Sequence, residues 1–239
     1  MRVDVLGLGF DNVDMAQAVE SALGLLKSGG GHYVVTPNSE IVVDVRRDAA
    51  ARAVFQSADL VLPDGAGVLV AAKLLRRPLT ARVAGVDFAQ SLMAQAKGLK
   101  LYLLGGAEGV AEQAGQRLAE RYPDLNIVGV HNGYFNGREA EVDADIKRKD
   151  PDILFVCLGA PKQENWMYTH REDFGDCLMV GLGGCLDVWS GRVERAPQWY
   201  QTHNLEWFYR LCKQPSRLGR MMKLPYFLWL AVLERVKKA

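Results

Sequence analysis

The chain has 239 residues, of which 49% are hydrophobic and 24% charged, with a formal net charge of +1. That is an ordinary soluble globular composition, long enough for one large α/β domain with an appendage. Its four cysteines, at 157, 177, 185 and 212, form no C-x-x-C pair. This spacing supports neither a zinc site nor a disulfide framework and leaves buried, reduced thiols in a cytosolic protein as the expectation.

In chain order, residues 2–8 read as a short strand. The opening MRVDVLGLGFDNVD has no basic region followed by a long apolar one, so no secretory leader is expected. Residues 15–26 place Met15, Val19, Ala22, Leu23 and Leu26 at helical spacing. Residues 33–35 form a strand that ends in Thr36-Pro37-Asn38, and a helix through Arg52 follows. The next strand, 60–62, closes on Pro63-Asp64-Gly65-Ala66-Gly67 ahead of a helix that runs to Leu75. Arg82 and Asp87 flank a loop and the start of a helix over 88–96. Strands at 101–104 and 127–130 alternate with helices at 110–121 and 138–149. The run 153–158 is continuously apolar, as in a strand buried on both faces. Gly159-Ala160-Pro161 stops it, and the polar cluster Lys162-Gln163-Glu164-Asn165 begins a helix. A last strand spans 178–182. Alternation of this kind predicts a mostly parallel, Rossmann-like sheet with helices on both faces. Ligands of such sheets bind outside the carboxyl ends of the strands.

Several strand ends carry residues able to do chemistry. Asp64 is either a general base or a turn and cap residue. Thr36 and Asn38 offer a hydroxyl and an amide that could hold sugar hydroxyls, or simply start a helix. Gly105, Gly106 and Gly109 make a partial dinucleotide fingerprint, but no carboxylate follows at the end of the next strand. An NAD(P)-dependent oxidoreductase is therefore a distant alternative. The run from Gly181 to Asp187, with Gly184 at its centre, either admits a nucleotide or permits tight packing. Asp143-Ala144-Asp145 has the form of a metal-binding D-x-D, yet it lies within a polar helical run and reads as a solvated face. No metal and no cofactor is expected.

The tail from Arg195 onward carries nine Lys/Arg against two Glu, a net +7, which leaves the rest of the chain at −6. Arg217 and Arg220 share a helix face with Lys213, a set that could neutralise a diphosphate without metal. Trp199, Tyr200, Trp207, Phe208, Tyr209, Tyr226, Phe227 and Trp229 are interleaved with these cations. No stretch reaches the roughly 18 apolar residues of a spanning helix. A basic, aromatic helix of this kind can lie in a membrane interface, or it can cap the core with its charges in water. The division expected is a catalytic α/β domain over 1–194 and a helical appendage over 195–239.

Taken together, these stretches resemble the WecG/TagA/CpsF glycosyltransferases, family 26. The resemblance runs through FDNVDM (10–15), TPNSEI (36–41), LPDGAG (62–67), RVAGVD (82–87), LLGG (103–106) and GYF (133–135). It continues through LGAPKQE (158–164), GLGGCLDVWSG (181–191), RAP (195–197) and LEWFYRL…QPSR (205–217). TPNSE is closer to the TagA branch, and Cys185 departs from the small or hydroxyl residue common there. The resemblance implies an inverting, metal-independent enzyme that moves N-acetylmannosamine, or another hexose or uronate, from UDP. The acceptor it implies is undecaprenyl-diphosphate-GlcNAc, for teichoic acid or another surface polysaccharide. It implies Asp64 as base and Thr36, Asn38, Arg82, Tyr134 and Gln163 in the pocket. Gly105, Gly106, Gly184 and Asp187 are expected to border the substrate, and Arg210, Arg217 and Arg220 to close over the diphosphate. The expected setting is cytoplasmic, peripheral on the inner face of the membrane through 195–239. No nucleic-acid partner is expected, and a homo-oligomer is compatible.

Overall fold

A computed structural model describes residues 1–203, 205–213, 215 and 218–237, with the side chain of Arg210 left aside. Six strands form one all-parallel sheet: β3 (His32–Val35), β4 (Leu60–Val61), β5 (Lys100–Gly105), β6 (Asn126–His131), β7 (Ile153–Cys157) and β8 (Leu178–Gly181). Their spatial order is β4-β3-β8-β7-β5-β6. The inner strands are largely apolar because they are buried on both faces, whereas the edge strand β6 is only partly buried. Tyr33, Val35, Val61, Tyr102, Leu104, Leu154, Val156 and Met179 enter one core. Their neighbours Val34, Leu60, Leu101, Leu103, Ile153, Phe155, Leu178 and Val180 enter the other. This is the period-two alternation of a strand, with apolar residues in both phases.

The first core is covered by α2 (Ser39–Val45), α3 (Ala49–Gln56), α4 (Ala66–Leu74), α7 (Glu139–Lys149), α8 (Lys162–Thr169) and α13 (Lys223–Lys237). The second is covered by α1 (Met15–Ser28), α5 (Gly85–Gln95), α6 (Val110–Arg121) and α9 (Cys185–Trp189). Three short helices lie between α9 and α13: α10 (Gln198–Thr202), α11 (Glu206–Lys213) and α12 (Leu218–Met221). The last helix belongs to the packed body. Phe227 and Ala231 are fully buried, and α13 rests on α4 and α2. Gly67 makes that approach possible, since a Cβ there would lie 2.5 Å from Leu224 Cδ1.

Three local expectations are corrected. Residues 2–8 are not one strand but part of an antiparallel hairpin, β1 (Arg2–Val5) and β2 (Leu8–Asp11), outside the main sheet. Leu6 and Gly7 both turn with positive φ between the two strands. The helix expected to run through Arg52 is two helices, because Asp48 caps a new one by accepting from Ala51 N at 3.0 Å. Of the four thiols expected to be buried, Cys157, Cys177 and Cys185 are, whereas Cys212 on α11 is exposed.

Candidate active site

All six parallel strands end on one rim, and the chemistry-bearing loops meet there. At one end of it, β3 runs into Thr36-Pro37-Asn38 and β4 into Pro63-Asp64-Gly65. Asp64 N donates to Pro37 O at 3.3 Å, which ties the two loops together. Val83 N donates to Pro63 O at 2.9 Å and brings the start of α5 alongside. Gly85 N then reaches Asp64 Oδ2 at 3.4 Å. Asp64 is thus a half-buried carboxylate with one oxygen turned toward a backbone amide. Thr36 Oγ1 donates to Gly181 O at 2.9 Å, so its lone pairs remain for an incoming hydroxyl. Asn38 caps α2, its Oδ1 accepting from Glu40 N and Ile41 N, and any ligand contact falls to Nδ2.

The glycine loops of β5, β7 and β8 form the rest of the rim. Gln163 is only 2% exposed. Its Oε1 accepts from Gly159 N at 3.2 Å and Gly183 N at 2.9 Å, and its Nε2 donates to Glu164 Oε1 at 2.9 Å. Its amide thus holds two loops in register beneath the rim. Glu164 is 1% exposed, and Oε2 has no hydrogen-bond partner among the described residues. Burial pushes its carboxyl up to about 7, against the lowering effect of the Gln163 hydrogen bond. Gly105 has φ +138°, and a Cβ there would lie 2.3 Å from Cys157 O, so close packing alone demands glycine. Gly106 N donates to Cys157 O at 3.3 Å, and Gly133 N to Gly106 O at 2.8 Å. Tyr134 stands out from the rim, 74% exposed. Gly184 is exposed, and its virtual Cβ lies 3.7 Å from Asp187 Oδ2. From the end of β4 to the end of β7 is three strand spacings, roughly 14 Å, room for a disaccharide-sized ligand.

Arg82 sits beside the carboxylate end, with its guanidinium on Glu206 Oε2 of α11. Arg195 completes a quartet: Nε reaches Glu206 Oε1 at 3.4 Å, and Nη1 and Nη2 reach Asp87 at 2.7 and 2.8 Å. Burial disfavours the Arg195 charge, but Asp87 and Glu206 more than offset it and raise its pKa. Two cations and two anions thus clasp the tail to the rim. Sequence reading did not identify Glu206 as a site residue. The available signal was its isolation, since Glu206 and Glu234 are the only acids in a strongly basic tail. Of the tail arginines, Arg220 is exposed on α12. Arg217 lies outside the described residues, and Arg210 is described only as a position in α11.

Asp143 and Asp145 do not face solvent freely: Asp143 meets His170 Nε2 at 3.3 Å, and Asp145 takes the Tyr102 hydroxyl at 2.8 Å and Arg148. Among the described residues no group of three or more His, Cys, Asp or Glu is placed to hold a metal ion. No helix of the described residues is long and apolar enough to cross a membrane.

The chain is similar to known proteins from end to end. It is 35% identical to the N-acetylglucosaminyldiphosphoundecaprenol N-acetyl-beta-D-mannosaminyltransferase of Staphylococcus aureus strain MW2, covering 100% of this chain and 96% of that one. The proteins of the same name from strains NCTC 8325 / PS 47 and MRSA252 match at the same identity and coverage. The model of the glycosyl transferase WecG/TagA/CpsF family matches residues 3–239, and the chain belongs to that family.

Proposed function

We propose that this protein is an inverting glycosyltransferase that moves N-acetylmannosamine from UDP to GlcNAc-diphospho-undecaprenol. The S. aureus relatives carry that mannosaminyl transfer and that acceptor in their names. The observation that carries the reading for this chain is Asp64, a half-buried carboxylate facing Gly85 N on a rim shared with Thr36 and Asn38. In the reaction, Asp64 takes the proton of an acceptor sugar hydroxyl. The freed oxygen attacks the anomeric carbon from the face opposite the diphosphate. The bond from that carbon to the UDP oxygen breaks, and UDP leaves with the electron pair. Inversion at carbon turns an α-linked donor into the β-linked product.

Thr36 and Asn38 orient sugar hydroxyls, and Arg82 sits at the edge of that pocket. Gln163 acts one step back, fixing the glycine loops against which Gly105, Gly106, Tyr134, Gly184 and Asp187 border the donor. Arg210, Arg217 and Arg220 supply the positive charge that the leaving diphosphate requires, in place of a metal. The region 195–239 serves as the appendage that brings these arginines and the membrane together. The enzyme works as a peripheral protein on the inner leaflet, in teichoic acid or related polysaccharide synthesis, with no nucleic-acid partner.

Purified full-length protein, a panel of UDP-hexosamines and a short-chain water-soluble GlcNAc-diphospholipid test this. A β-linked disaccharide and UDP are expected with UDP-N-acetylmannosamine, at a rate unchanged by chelator. No transfer from any UDP-hexosamine would refute the reading, and a rate abolished by chelator would refute its metal-free chemistry.

A further inference from the structure

Away from the rim, a groove of about 630 Å³ lies between the β1–β2 turn, the α2–α3 junction and the end of α13. Arg46, Arg47, Arg52 and Lys237 line it, against Asp4 and Glu234. Asp4 is in turn shared with Arg77 at 3.5 Å. The lining is net positive, and Arg46 and Arg47 stand at the end of α2, just before Asp48 caps α3. Arg52 is braced by donating to Arg46 O at 3.3 Å. The groove continues into a second hollow of about 340 Å³, where Arg46 and Arg47 face Tyr226, Trp229 and Leu233. Arg47 Nη2 reaches the Tyr226 hydroxyl at 3.5 Å.

On the groove itself α13 presents Glu234 and Lys237, and in the adjoining hollow it presents Tyr226, Trp229, Leu230 and Leu233, so the apolar wall belongs to the hollow. Along α13, Trp229 is 54% exposed, and Tyr226, Val232 and Val236 are exposed with it, while Phe227, Leu230 and Ala231 are buried. A helix with apolar residues on both its inner and outer faces, edged by cations, is built to lie between protein and lipid. Trp and Tyr favour the headgroup level, and clustered Arg and Lys favour anionic headgroups.

We propose that this groove binds the phosphate of an anionic phospholipid headgroup while the outer side of α13 lies in the bilayer interface. Chemistry selects the occupant: the cations suit phosphate, and the adjoining hollow walled by Tyr226, Trp229 and Leu233 suits acyl chain. An open groove beside an apolar hollow suits a lipid better than a free anion. The consequence is an orientation. Leu224, near the start of α13, touches the α4 end of the Asp64 loop, and Lys237 is about 20 Å further along the helix axis. A lipid held at the far end sets α13 flat, so that the rim opens at headgroup depth, where a lipid-linked diphosphate emerges. This purpose rests on the lipid-acceptor reading above, while the lipid site itself does not.

Vesicle flotation tests it. Full-length protein is mixed with phosphatidylcholine vesicles, and with vesicles that also contain roughly one-third phosphatidylglycerol. Wild type is expected to prefer the anionic vesicles, and Arg46→Gln/Arg47→Gln to lose that preference by on the order of tenfold, since each basic residue near the surface contributes measurably. Binding to neutral vesicles and transfer to the short-chain acceptor are expected to be unchanged in the variant, which also verifies its fold. Arg47→Gln alone, at an exposed side chain, repeats the test with less risk to folding. An equal anionic preference in both variants and wild type, or none in wild type, overturns the proposal. So does glycerol phosphate binding that the double variant loses while it keeps its vesicle preference, because that is a small-molecule site. Loss of transfer in wild type would count against the transferase reading alone.

Discussion

Asp64, the base in the proposed reaction, is oriented by a neighbour that carries no side chain. Gly85 presents its N–H to Asp64 Oδ2, and a Cβ at Gly85 would press on Thr36 Oγ1 at 3.1 Å. Gly85→Ala is expected to keep the fold and to lower stability by about 1 kcal/mol, since the added methyl crowds Thr36 at a buried position. Its turnover is expected to fall about tenfold, because small displacements of aligned groups are costly in rate. Thermal melts and kcat measured together check this, and a variant of full rate would remove Gly85 from the site. Glu164 makes a second prediction. Its carboxyl is held near 7 in the fold against an ordinary 4.5, so between those values the folded state binds more proton than the unfolded. Stability must then fall as pH rises through that window, by at most about 1.4 kcal/mol per pH unit. Glu164→Gln keeps the carbonyl that accepts from Gln163 and cannot ionise. Its Tm is expected to change less between pH 5 and 7 than that of wild type; parallel curves would show that Glu164 does not carry the dependence. Neither Gln163 nor Glu164 was legible as a buried group. A polar cluster at a helix start reads as surface, and only the fold reveals that two loop amides need an acceptor beneath the rim.

At the scale of elements, the strands were legible because burial on both faces leaves continuous apolar runs, as in Ile153–Cys157. The breaks were less so. Asp48 resembles any polar residue in a helix until it is seen to accept from Ala51 N, and the Leu6–Gly7 turn hides inside an alternating run. The clasp between tail and rim was not legible at all, because its partners lie far apart in sequence: Glu206 meets Arg82 across 124 positions, and Asp87 meets Arg195 across 108. These side chains are mostly buried, with Glu206 at 13%. Glu206→Gln leaves Arg82 and Arg195 short of a counter-charge and is expected to destabilise by about 2 kcal/mol. It is also expected to speed proteolysis within α10–α12 more than elsewhere. Limited proteolysis followed by mass spectrometry checks this; a cleavage pattern like that of wild type would mean the clasp does not hold the tail.

For the whole molecule, the sequence carries an alternation of strands and helices but not the order of the strands. In a parallel sheet neighbours are chosen by crossovers and tertiary packing, so β8 could come to lie between β3 and β7 without any local sign. That placement matters, because it sets Gly181 beside Thr36 and Gly183 over Gln163, joining the carboxylate end of the rim to the glycine end. The rim, the clasp and α13 then form one arrangement, which on the proposed reading brings a UDP-linked donor and a lipid-linked acceptor together at Asp64. The most direct measurement is acceptor-dependent UDP release by Asp64→Asn, alongside its thermal melt and its affinity for UDP. A folded protein is expected that binds UDP as wild type does and turns over about 10³-fold more slowly, within the usual range for loss of a general base. Turnover equal to wild type would contradict that role.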